Sequence, residues 1–128
     1  MIIIDINGNA GKEGAETTLG TEREEDSVVA VYAYNYLQTC KDIKVFFDFT
    51  YHILNPSGFL FVIVPLAPYR NAFDDPNTIR FFTGPSFMSI IDNKWKVKNF
   101  NMSNAKRDDP KDPNTWMRTL EVKLQPNK

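Results

Sequence analysis

Sulfur and imidazole are scarce: the 128-residue chain has one cysteine and one histidine. Cys40 alone forms no internal disulfide, which excludes a stapled secreted scaffold, suits a reducing compartment and makes the cytoplasm the expected location. His52 has no second His or Cys with which to complete a metal site, and Cys40 has no His partner for nucleophilic work, so neither a zinc nor a thiol enzyme is expected. Long apolar runs are also missing. The opening Met1-Ile2-Ile3-Ile4 stops at Asp5 without a basic leader, and nothing approaches the roughly 18 residues of a bilayer span, so neither signal peptide nor membrane anchor is expected. Charge of one sign is lacking too, the formal net charge being -1. No general attraction to nucleic acid or anionic membranes follows from such a balance, and Lys94, Lys96 and Lys98 around Trp95 read as the solvated face of a strand.

What is present is a core. Hydrophobic residues make up 42% of the chain and include ten Phe, enough for one globular domain over residues 1–128, though short for a complete doubly wound fold. Ile2 to Ile6 and Val28 to Tyr32 are β-branched, buried-type strands, and Ala15 to Leu19 is a weaker strand candidate. Between them Glu22 to Asp26 is a charged, solvated connection. Tyr34 to Gln38 suits a short helical turn. From Cys40 to Leu54 the residues Ile43, Phe46, Phe47, Ile53 and Leu54 fall at helical spacing, and Val45 and Phe49 widen that stripe beyond what one sheet covers.

The segment Tyr51-His52-Ile53-Leu54-Asn55-Pro56-Ser57-Gly58 then turns into Phe59-Leu60-Phe61-Val62-Ile63-Val64, a strand too uniformly apolar to have one face in water. A helix feeding such a strand is the unit of a parallel α/β sheet. Pro65, Pro68 and Pro76 mark a long loop of the kind that carries function. Thr83 or Ser86 caps a short helix containing Phe87, Met88, Ile90 and Ile91. Residues 94–100 and 116–125 alternate as half-exposed strands that pair antiparallel, with residues 101–115 as a polar loop between them.

Several of these stretches resemble the class I S-adenosylmethionine (SAM) dependent methyltransferases. Asn55-Pro56-Ser57-Gly58 is similar to that family's "L-K-P-G-G" corner. Glu25-Asp26-Ser27-Val28 with Val31-Tyr32-Ala33 resembles its "E-D-N-S-V-D-x-I-Y-A" approach to the fourth strand. Ala72-Phe73-Asp74-Asp75-Pro76, then Arg80-Phe81-Phe82-Thr83 and Ser86-Phe87, is similar to "F-x-D-P-T-H-x-R-F-F-T-x-x-S-F", the most specific match. Ile3-Ile4-Asp5-Ile6 resembles the family's "I-N-V-D-I" second strand, a register that leaves the first strand and its glycine loop before Met1. A second register aligns Asp5-Ile6-Asn7-Gly8-Asn9-Ala10-Gly11 with the glycine loop itself, Asn taking the left-handed conformation in place of Gly.

The resemblance implies an α/β fold, an abbreviated Rossmann-like methyltransferase domain with a mixed sheet ending in an antiparallel hairpin. It also implies a SAM site across the carboxyl ends of the strands, with Asp5 on the ribose hydroxyls and Ile6, Gly20, Tyr32 and Asn35 nearby. Gly20 stands where the family has an acid for adenine. Asn35 to Thr39 replace "H-V-L-E-H", and Asn77 and Thr78 end the "D-P-T-H" match, so the titrating groups of both segments are absent. Methyl transfer by proximity and alignment survives that loss. Asp75 and Arg80 either pair to brace the long loop, the favoured reading, with Phe81 and Phe82 beside Arg80 as a hydrophobic plug, or face substrate. Two functional expectations stand: a SAM-dependent methyltransferase of unknown acceptor, or a non-catalytic module that forms a homodimer through the Cys40–Leu54 helix.

Overall fold

The computed structural model describes residues 2–6, 24–103, 106–107, 111 and 116–128. The element order is β1 (Ile2–Asp5), β2 (Val28–Tyr34), a 3-10 turn (Leu37–Thr39), α1 (Ile43–Ile53), β3 (Leu54–Pro65), a 3-10 turn (Arg70–Ala72), α2 (Gly84–Met88), β4 (Trp95–Met102), β5 (Lys106–Arg107), β6 (Trp116–Met117) and β7 (Thr119–Pro126). The expected strand at Ala15 to Leu19 lies outside the described residues. Five strands form one sheet in the order β1-β2-β3-β7-β4, and β5 with β6 forms a separate two-stranded ladder within the expected polar loop.

β1, β2 and β3 are mutually parallel, with Ile4 opposite Val31 and Val31 opposite Leu60. The closing strands are antiparallel: β7 lies between β3 and β4, placing Val62 opposite Val122 and Val122 opposite Phe100. The sheet is therefore mixed and ends in the expected hairpin. One face is dry because Val31, Ala33, Leu60, Val62, Val64, Leu120, Val122 and Leu124 alternate onto it and are all buried. Beneath them α1 packs Phe46, Phe47, Thr50 and Ile53, and Phe47 reaches the edge strand, its ring 6.1 Å from that of Trp95. Asp42 starts this helix by accepting a hydrogen bond from the Val45 amide at 3.1 Å, an N-cap. The helix thus begins later than the apolar spacing at Cys40 suggested, and its stripe is narrower: Val45 is 61% exposed, while Phe49 is half-buried.

The opposite face is aromatic and half-buried. Tyr32 stacks on Phe61 with centroids 4.8 Å apart, and the Lys123 ammonium sits 4.1 Å over the Phe59 ring. β2 runs to Tyr34, so Tyr32 lies inside the strand with its ring engaged, not beyond the carboxyl end where the sequence reading put it.

The Asn55 to Gly58 corner is a turn held inside β3. Register with β2 slips between Val28 opposite Leu54 and Ala30 opposite Phe59, and Asn55 Oδ1 accepts from the Ser57 amide at 2.9 Å. A side chain at Gly58 has no room, since a Cβ there would stand 2.9 Å from the Val29 carbonyl oxygen and 3.1 Å from Asn55 O. Both obstacles are backbone, so they do not yield. Gly58→Ala is accordingly expected to lower the unfolding free energy by about 1–3 kcal/mol, the range for overpacking, measured as a reduced urea midpoint with an unchanged slope.

Candidate functional site

Parallel pairing brings the carboxyl ends of β1, β2 and β3 to one edge, and the antiparallel β7 begins at that same edge. Asp5 ends β1 and is 1% exposed, and the next residue, Ile6, donates its amide to Tyr32 O at 3.0 Å. Asn35 follows β2 with φ 56, a left-handed backbone that asparagine tolerates, and ties back to the sheet through its amide to Ile63 O at 2.7 Å. It turns the chain sharply out of the strand and leaves its own side chain exposed.

A cleft of about 540 Å³ opens here. Asn35 and Gln38 wall it on the β2 side, Pro65 and Thr119 form its floor at the ends of β3 and β7, and Asn71, Asp74 and Asp75 close it from the long loop. Two clamps hold that loop in place. Asn71 donates from Nδ2 to Arg118 O at 2.8 Å and accepts at Oδ1 from the Arg118 amide at 3.1 Å, joining loop to β7 as a strand would. Arg80 is the second clamp. Its guanidinium donates to the carbonyls of Leu37, at 2.9 Å, and Cys40, while the amides of Ile79 and Arg80 donate to Gln38 O at 2.8 and 3.2 Å.

The expected Asp75–Arg80 pair is thus replaced: among the described residues no ion pair joins them, and Arg80 braces the loop through carbonyls. The reason is geometric, because the turn after β2 offers a cluster of carbonyls suited to a planar fork of donors. Asp75 instead accepts from the Asn77 amide at 2.8 Å, and Arg70 stands 3.6 Å from Asp74. Of the expected plug, Phe82 is buried against Phe87 at 5.5 Å. Phe81 is 49% exposed and pairs with the 59% exposed Phe73 at 4.9 Å. Thr83, not Ser86, caps α2, in a reciprocal capping box with Ser86. His52 lies on the exposed C-terminal turn of α1, away from the cleft.

Of the five site residues expected from sequence, Asn35 lines the cleft; Asp5 and Ile6 lie at the end of the neighbouring strand, Tyr32 is packed in the sheet, and Gly20 lies outside the described residues. Gln38, Asn71 and Thr119 were not anticipated. For Gln38 a signal existed: a polar residue one position from Leu37 in a turn that must bury something.

No protein-family model matches the chain, and no curated protein matches its sequence. Solved structures do. YcgJ of Bacillus subtilis superposes with a TM-score of 0.63 at 9% identity, over 95% of this chain and 75% of that one. A candidate type 11 methyltransferase of Sulfolobus solfataricus gives 0.63 at 15% identity, over 99% and 84%. The chain has a class I methyltransferase-like fold. A SAM-dependent methyltransferase of Methanosarcina mazei agrees, with a TM-score of 0.58 at 14% identity over 96% of this chain and 80% of its own. Within this methyltransferase-like fold the cleft lies where open α/β sheets bind ligands, outside the carboxyl ends of the strands.

On the α1 side of the turn after β2, where the Tyr36 ring lies 5.6 Å from that of Phe46, burial first, then a hydrogen bond to Cys40 and its charge, push the Tyr36 hydroxyl from 10.0 up to about 12. A phenol whose folded value is raised stabilises the fold fully below its unfolded value and loses that contribution as pH rises through the folded one. Stability is expected to fall between pH 10 and about 12, and Tyr36→Phe to flatten that slope in urea titrations across the window. Removing the second clamp tests the loop: Arg80→Ala is expected to cost about 1.5–3 kcal/mol, the range for hydrogen bonds to a charged group, by urea unfolding, with Arg80→Lys restoring less than half.

Proposed function

We propose that the chain binds SAM and acts as a methyltransferase. The observation that carries this reading is the polar cleft at the carboxyl ends of β2 and β3, beside a buried acid at the carboxyl end of β1. Asp5, Ile6 and Asn35 fit the group, since an acid and an amide at neighbouring strand ends supply acceptors for hydroxyls and ammonium and a donor for a carboxylate. SAM supplies an electrophilic methyl group. The protein's share is to hold donor and acceptor in line and to exclude water, which needs no titrating side chain.

The neighbour relation of β1 favours the second register kept open above. In a doubly wound sheet of order 3-2-1-4-5-6 the first strand lies directly beside the fourth, and the glycine loop follows the first. β1 pairs directly with β2, the strand matched to the family's fourth. By this reading Asp5 opens the loop that runs to Gly11, whose residues after Ile6 lie outside the described ones.

A second reading, a non-catalytic module that self-associates, is favoured by the half-buried aromatic face of β2 and β3, because parallel sheets are ordinarily covered on both sides. The helix route to a homodimer rests on Val45, which is 61% exposed, and the half-buried Phe49, since Phe46 and Phe47 are taken up by the chain's own sheet.

Titration calorimetry and thermal unfolding with SAM and S-adenosylhomocysteine decide between the two. Ligand at about 100 times its Kd is expected to add roughly 2.7 kcal/mol, raising Tm by about 10 °C. No heat and no shift at millimolar ligand, together with a dimer in sedimentation, would establish the second reading and remove the first.

A further inference from the structure

The Arg80 clamp consumes a cation beside the cleft, and the lining that remains carries negative charge. Asp74 and Asp75 both line it, and among the described residues no lysine or arginine does. Arg70 offsets Asp74 from 3.6 Å, and Arg80 is spent on the carbonyls of Leu37 and Cys40. The wall on the β2 side holds Gln38, 4% exposed, whose Oε1 is buried with no hydrogen-bond partner among the described residues. An amide carbonyl left in this state carries a desolvation penalty that an incoming N–H removes. Gln38 lines the cleft, and the torsion that ends its side chain is soft. In the chain Phe73 precedes and Phe81 follows the two acids, and their exposed rings pair at 4.9 Å as an apolar platform.

We propose that this cleft binds an amine: a small molecule with a protonated or N–H-rich nitrogen held by Gln38 Oε1 and the Asp75 carboxylate, and an apolar body lying toward Phe73 and Phe81. A carboxylate ligand would meet two acids offset by one arginine. A neutral alcohol would leave the second acid without a partner. Cations also gain from the faces of aromatic rings. In the methyltransferase reading this amine is the methyl acceptor, and that assignment rests on the reading above; the binding itself does not.

The test follows the side-chain amide of Gln38 by nitrogen-resolved NMR in the full chain, with hexylamine, hexanoate and hexanol as probes of equal length. Hexylamine is expected to shift the Gln38 amide pair saturably, whereas hexanoate and hexanol leave it in place. Gln38→Leu and Asp75→Asn are each expected to weaken hexylamine about tenfold, in line with loss of one hydrogen bond to a charged group. Gln38→Glu, which keeps shape and adds charge, tightens it. Equal shifts from hexanoate, an unmoved Gln38 pair, or Gln38→Leu binding as tightly as the unsubstituted chain would overturn the proposal. Amine binding without any response to SAM keeps the cleft and sinks the enzyme, while a SAM response without amine binding does the reverse.

Discussion

Parallel pairing of β2 with β3 is the constraint on which the rest of this molecule depends. Two parallel strands cannot be joined by a tight turn, so the chain must cross over, and α1 is that crossover. It buries Phe46, Phe47 and Ile53 against the sheet in doing so. The pairing also forces the ends of both strands to the same edge, where Asn35 and Pro65 come to face one cleft although they are far apart in sequence. Only the bulge at Asn55 to Gly58 allows the register, because it absorbs the extra residues between Leu54 and Phe59.

The cleft itself is built by hydrogen bonding rather than by packing. The loop from Leu66 to Phe82 has exposed apolar side chains at Phe73, Ile79 and Phe81, so burial alone does not hold it. It is tied down at one end by a side-chain amide that mimics a strand, Asn71 on Arg118, and at the other by the Arg80 fork on the turn after β2. Binding sites often sit on loops positioned by a rigid scaffold. Here the scaffold supplies carbonyls and the loop supplies the cation that satisfies them, so the cation is not available to a ligand. The acidic character of the remaining lining follows from that division.

Much of the fold was legible in the residues. Uniformly apolar runs such as Phe59 to Val64 announce an interior strand, although its second face, Phe59, Phe61 and Ile63, is only half-buried, and the strict alternation of Leu120, Val122 and Leu124 announces one buried on a single face. The site was less so. Asn35 was readable because a turn-prone residue after a buried strand points to the ligand edge. Tyr32 was misplaced because β2 runs two residues further, its aromatic face engaged by Phe61. Asp75 and Arg80 were assigned to each other because opposite charges near in sequence suggest a pair, whereas a backbone carbonyl cluster leaves no mark in a sequence.

Local composition alone determined the α/β class, the identity of the buried strands, the central helix and the closing hairpin, since each follows from periodicity within a short window. Tertiary structure decided which strands became neighbours, above all the direct contact of β1 with β2, and which polar groups met at the cleft. Those outcomes depend on contacts between segments distant in sequence, from Ile2 opposite Val28 to Arg80 on Leu37 and Asn71 on Arg118. Hydrogen bonds of that kind require a fold to exist before their partners can meet.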